Sequence, residues 1–173
     1  MSLAKSSADI PSLKDVRLHI INAISRLYRD DPELLEVDAN ERSITHKLAE
    51  YLQLEFPGWN VDCEYNRLGD ENERKRLVIK DIERPTVEDT EAKTVFPDII
   101  VHHRKKPENL LVMEVKKGKG EADTKDIVKL RAFTKVPKYR YHYGLFLRLE
   151  EEPKHCELRL FQNGKHRDSW KMC

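Results

Sequence analysis

Residues 96–117 read Phe-Pro-Asp-Ile-Ile-Val-His-His-Arg-Lys-Lys-Pro-Glu-Asn-Leu-Leu-Val-Met-Glu-Val-Lys-Lys. Two aliphatic runs, Ile99 to Val101 and Leu110 to Val115, flank a polar insert containing Pro107 and Asn109. β-Branched residues bounded by Pro and Asn are the pattern of two strands joined by a loop. Asp98 opens the first run, and Glu114 and Lys116 close the second. Carboxylates set in such runs are costly to bury unless positive charge meets them. The chain is therefore read outward from this pair of acids.

Counting residues gives the hairpin a geometry. A symmetric register centred on Lys106 puts Asp98 opposite Glu114, Ile100 opposite Val112 and His102 opposite Leu110. Directly paired residues share a face with Cβ atoms about 4.5–5.5 Å apart. Lys116 shares that face with Glu114, roughly 6.6 Å further along the strand. Two acids and a cation thus converge, while Ile99, Val101, Leu111, Met113 and Val115 face the other side as core. Hard oxygen ligands with positions left for water suit Mg²⁺ or Mn²⁺. Such an ion would polarise a phosphodiester oxygen and acidify a bound water. Lys116 would orient the attacking water or steady charge on phosphorus.

Pro97-Asp98, fifteen intervening residues and Glu114-Val115-Lys116 resemble the PD-(D/E)xK signature of the restriction-endonuclease-like nuclease superfamily. The flanking apolar strands match that context. The resemblance implies an α/β, three-layer fold with a central mixed sheet of four to five strands flanked by helices. It also implies a Mg²⁺-dependent nuclease, with Mn²⁺ able to substitute, whose substrate is DNA. Carried over, Asp98 and Glu114 bind the metal, the backbone carbonyl of Val115 adds a ligand, and Lys116 assists attack. Many members add a glutamate from a preceding helix, and Glu41 is the candidate. Asp38-x-x-Glu41 also reads as a helix capping box, with Glu41 at its third position. Some members carry Gln-x-x-x-Tyr on the helix after the motif, where this chain has Lys129-Leu130-Arg131-Ala132-Phe133. The likeness spans roughly Asp38 to Leu149. The alternatives from the same residues are cleavage of RNA and a non-catalytic nucleic-acid or protein-binding module.

Charge is unevenly placed. The formal net charge is +1 over 173 residues, yet residues 1–95 carry 14 basic and 20 acidic side chains, and residues 96–173 carry 18 and 11. The basic excess falls in the half that holds the hairpin, which suits a phosphate-bearing partner. Lys117, Lys119, Lys129 and Arg131 are the residues expected to contact a nucleic-acid backbone. A solvated basic loop is the plainer reading of Lys117 and Lys119. No target-reading domain is recognisable, so specificity is either absent or supplied by a second protomer or a separate partner. Three scattered cysteines without metal-ligand spacing read as free thiols of a reducing, cytoplasmic compartment. No apolar run is long enough for a membrane span, and no secretory signal is expected.

In chain order, residues 1–11 read as a disordered leader and 12–173 as one domain. Leu13, Val16, Ile20, Ile24 and Leu27 predict a helix from Ser12 to Tyr28 or Arg29. Ile44, Leu48 and Leu52 predict a second, beginning near Asp38 to Glu41 and ending before Pro57. Trp59 to Tyr65 alternates as a strand. A short strand is expected over Arg76–Ile82 and a long loop over Arg84–Thr94. Lys125–Phe133 reads as a helix and Tyr139–Leu149 as a strand. Glu157–Phe161 and Lys165–Trp170 form a hairpin around Asn163-Gly164. His102 falls on the Asp98 face by count, although an exposed strand-end histidine is the commoner case. Tyr139, Tyr141 and Tyr143 suggest either base stacking or sheet packing.

Overall fold

The computed structural model describes residues 10–36, 40–65, 67–68, 73–74, 96–120, 124–135, 137 and 139–172. The leader up to residue 9, the Arg76–Ile82 strand, the Arg84–Thr94 loop and Cys173 lie outside these residues. Helices α1 (Leu13–Asp30), α2 (Glu33–Glu36) and α3 (Glu41–Glu55) precede strand β1 (Asn60–Cys63). Two-residue strands β2 (Arg67–Leu68) and β3 (Glu73–Arg74) pair with each other in a sheet of their own. β4 (Ile99–His102), β5 (Asn109–Lys117), α4 (Thr124–Lys135), β6 (Tyr141–Leu149), β7 (Glu157–Gln162) and β8 (Lys165–Lys171) follow.

Among the described residues the main sheet has six strands in the order β1-β4-β5-β6-β7-β8. Only β5 and β6 run parallel among its pairs. A parallel pair needs a crossover, and α4 supplies it. The count exceeds the expected four to five because the Asn163-Gly164 hairpin does not stand apart. It continues the sheet from β6, with Leu158 and Leu160 buried against the same core as Leu145 and Leu147.

Both faces of the sheet are covered. On one, α1, α2 and α3 bury Val16, Ile20, Leu35, Leu48 and Leu52 against Ile99, Val101, Met113 and Val115. On the other, α4 buries Leu130 and Phe133 against Ile100, Val112 and Phe146. β5 lies inside on both faces, and Asn109–Val115 is buried throughout, as expected of a central strand. Ser12 caps α1 by accepting the Asp15 amide at 3.2 Å. Among the described residues no helix is long and apolar enough to cross a membrane.

The hairpin register holds over most of its length. Ile100 lies opposite Val112, flanked by the pairs Ile99–Met113 and Val101–Leu111. His102 lies opposite Asn109 rather than Leu110, because a bulge between Val101 and His102 leaves Leu110 as the extra residue. The connection closes on the His103 amide, which donates to the Glu108 carbonyl at 2.9 Å. The slip occurs at the loop end and leaves the Asp98 end in register.

Asn163 and Gly164 both have positive φ, 52° and 75°, as a two-residue primed turn requires. A Cβ on Gly164 would stand 2.8 Å from that of Lys135. Gly164→Ala is expected to cost about 1–2 kcal/mol and lower Tm by about 2–8 °C. A thermal melt with no loss would show that the turn relaxes freely.

Candidate active site

Three elements meet at the end of the β4–β5 hairpin: the last residues of β5, the first turn of α4 and the first residue of α3. Asp98 precedes β4, and its Oδ2 accepts the Val115 amide at 2.7 Å, which fixes the carboxylate beside the end of β5. Burial pushes the Asp98 pKa up, against the pull of that amide and of Lys129 and Lys116. Glu114 is 1% exposed. Its Oε2 accepts from Lys129 Nζ at 2.6 Å, and its Oε1 has no hydrogen-bond partner among the described residues. Burial first, and the nearby Asp98 carboxylate second, push Glu114 up to about 8.

The first turn of α4 brings a third buried acid, Asp126, 5% exposed. Its Oδ1 lies 2.9 Å from Lys129 Nζ, and its Oδ2 lies 3.7 Å from Lys116 Nζ without a hydrogen bond. Lys116 Nζ is also 3.6 Å from Glu41 Oε2. Burial opposes the charge on Lys116, but Asp126, Glu41 and Asp98 outweigh it and hold its pKa above the usual lysine value. Lys129 is held up the same way, burial being outweighed by Glu114 and Asp126. Lys116 is therefore a point cation at neutral pH and not a base.

Asp98, Glu114, Lys116 and Glu41 are thus gathered in one region, but Glu41 arrives differently from the sequence reading. α3 begins at Glu41, and its N-cap is Asn40, whose Oδ1 accepts the Arg42 amide at 2.9 Å. Glu41 is the first helical residue, not the third; Asp38, the other half of the expected capping box, lies outside the described residues. Glu41 lies in line with the buried Ile44, Leu48 and Leu52 but at the open end of the helix. Its side chain is 48% exposed, and with Asp98, Thr45, Cys63 and Glu64 it lines a cleft of about 420 Å³.

Among the described residues, four carboxylates here face two ammonium groups. Among the described residues no three acid, imidazole or thiol side chains stand where one ion would bind them together. Lys129 lies between Glu114 and Asp126, and Lys116 between Asp126 and Glu41. The donor set nevertheless fits Mg²⁺ or Mn²⁺. It is all hard oxygen, it carries two more acids than lysines, and the unpartnered Glu114 Oε1 is a buried polar atom that lacks what a cation supplies. Asp98, Glu114 and the Val115 carbonyl would hold the ion, with Glu41 at the open side.

The four residues expected to touch a backbone are not brought to one surface. Lys129 is turned inward onto Glu114 and Asp126. Lys117 points to the helical layer opposite α4, its Nζ 3.4 Å from the Leu34 carbonyl of α2. Lys119 is exposed in the loop after β5. Arg131 is exposed on α4, its guanidinium 6.0 Å from the Phe161 ring. His102 is neither at the site nor exposed, being 3% exposed with Nε2 2.8 Å from Asp62 Oδ2. Tyr139, Tyr141 and Tyr143 are buried packing residues. Cys63 and Cys156 are free thiols.

Sequence reasoning missed Asp126. Its signal was present, since Asp126, Leu130 and Phe133 follow the i, i+4, i+7 spacing of a buried stripe. An acid on that stripe, three residues before a lysine, marks a buried ion pair. No family model matches the chain, and comparisons with curated proteins and with solved structures likewise yield no match.

Proposed function

We propose that the chain is a Mg²⁺-dependent nuclease of restriction-endonuclease-like fold that hydrolyses phosphodiester bonds, with DNA as its substrate. The observation that carries this reading is the buried Glu114 beside Asp98, with one oxygen lacking a hydrogen bond and Lys116 held charged next to them. A protein tolerates such a cluster of desolvated acids at a cost of stability, and functional sites are where that cost recurs. The helix with Glu41, the hairpin with Asp98 and Glu114, and the helix after it support the finer fold.

A bound ion would supply charge stabilisation and an acidified water. The chain does the rest. Asp98, locked by the Val115 amide, keeps its carboxylate in place without reorganisation. Lys116, positioned between Glu41 and Asp126, offers its ammonium to the phosphoryl oxygens as water adds to phosphorus and the sugar oxygen leaves. Asp126 acts through the two lysines as a positioning residue.

The Lys129 ammonium on Glu114 favours one rival, a non-catalytic binding module in which lysine takes the place of an ion. Cleavage of single-stranded and duplex DNA and RNA, assayed in parallel with Mn²⁺, decides between them. DNA cleavage that EDTA abolishes is expected. RNA cleavage alone would move the substrate to RNA, and inertness on all four would leave the binding module.

A further inference from the structure

The helix that points Asp126 and Lys129 into the acidic site presents a second flank elsewhere. α4 lies over β6 with β5 on one side and β7 on the other. Lys129 reaches the β5 side. Ile127 and Arg131, one turn apart, line a shallow groove of about 380 Å³ on the β7 side with Arg159, Phe161, His166 and Ser169.

Charge on this flank is unbalanced. The acids of α4 and the β7–β8 hairpin are Asp126, Glu157 and Asp168, and each is already engaged. Asp126 is buried among the site lysines. Glu157 lies in the groove, 2.5 Å from Arg159 and 4.0 Å from Arg148. Asp168 pairs with Arg17 of α1 at 3.3 Å, in the layer across the sheet. The same elements carry Lys125, Arg131, Lys135, Arg159, Lys165, Arg167 and Lys171 as well as the inward-turned Lys129. The exposed Arg131 guanidinium is placed by the Phe161 ring, and Phe161 also meets His166 at 5.8 Å between ring centroids. An arginine steadied by an aromatic ring keeps its hydrogen-bonding fork available for an anion.

We propose that the groove between α4 and the β7–β8 hairpin binds the phosphodiester backbone of the nucleic-acid strand that the Asp98–Glu114 site acts on. The choice of nucleic acid over other polyanions rests on the nuclease reading of that site. Arg131, Arg159 and His166 are the phosphate-facing residues. The exposed Lys125, Lys135, Lys165 and Arg167 lie on the same elements and raise the local positive potential. Of the residues first expected to track a backbone, only Arg131 belongs to this surface.

The test is fluorescence anisotropy with labelled single-stranded and duplex oligonucleotides in EDTA, across a salt series. The variant Arg131→Gln/Arg159→Gln/His166→Gln is expected to bind at least about tenfold more weakly and to lose roughly two units of the log K against log salt slope. Lys14→Gln/Arg29→Gln, which removes charge from α1, is expected to bind as wild type does. Arg131→Gln alone serves if the triple variant melts early, and Arg131→Lys should recover part of its loss. Unchanged binding by the triple variant, an equal loss in the α1 control, or no binding by wild type overturns the proposal. So does equal groove-dependent binding of polyglutamate or of anionic vesicles. Cleavage is scored separately in Mg²⁺. Groove-dependent binding without cleavage sinks the nuclease reading alone, whereas normal cleavage and KM in the triple variant sink the groove alone.

Discussion

Asp98→Asn is expected to abolish Mn²⁺ binding in calorimetry and to lower cleavage by roughly 10³-fold or more, the order of several kcal/mol of metal-supplied stabilisation. The choice of asparagine matters. Asp98 Oδ2 accepts the Val115 amide at 2.7 Å, and alanine would leave that donor unpaired at a cost of about 1–3 kcal/mol. Asn keeps an acceptor while removing the charge, so its Tm should stay near that of wild type. Asp98→Ala should lose both ion and stability. An Asp98→Asn protein that still binds Mn²⁺ and cleaves would remove Asp98 from the site. A wild type that binds no ion would remove the metal reading altogether.

Glu114→Gln is expected to stabilise the ion-free protein at alkaline pH. The folded Glu114 pKa stands near 8, against 4.5 for an ordinary glutamate. The unfolded chain therefore releases this proton from about pH 4.5 upward, while the folded chain holds it. Stability from this group is complete below that point, declines as pH rises through the window, and is gone above about 8. Glutamine is isosteric with the protonated acid and carries no such slope. Melts in EDTA should coincide for the two proteins near pH 5. At pH 8 the variant should gain a few kcal/mol, on the order of 5–10 °C in Tm. Parallel curves across that range would show that Glu114 is ionised in the folded state throughout. The same substitution should remove Mn²⁺ binding, so the protein would trade its ion site for stability.

The charge arrangement explains why these two acids differ. Asp98 has an amide to lean on and is partly open to the cleft, whereas among the described residues Glu114 has only Lys129. That lysine is shared with Asp126, so its attraction is divided between two carboxylates.

Much of the fold was legible because the relevant physics is local. The i, i+3/i+4 spacing of Val16, Ile20, Ile24 and Leu27 places a helix face whatever it packs on, and Asn163-Gly164 closes a hairpin by backbone preference alone. The pairing of Ile100 with Val112 followed from counting, because a strand's alternation leaves only every second register compatible with its apolar face. The bulge at His102 was not legible, since it depends on how the 103–108 connection closes. Both strands of the terminal hairpin were expected, but the sheet's count of six was not legible, for a related reason. Whether a terminal hairpin stands alone or extends a sheet depends on which edge lies beside it.

The sequence by itself determined that Asp98 and Glu114 would come together at the end of the hairpin and that Lys116 would lie beside them. Each of those statements concerns residues on one hairpin, where spacing converts directly to distance. Only the tertiary structure decided that α4 would lay Asp126 and Lys129 over Glu114, that α3 would present Glu41 from its first residue, and that Lys117 and Arg131 would part to opposite layers. Those outcomes depend on where separate elements dock, and docking is set by the summed fit of two cores rather than by the spacing of any one segment.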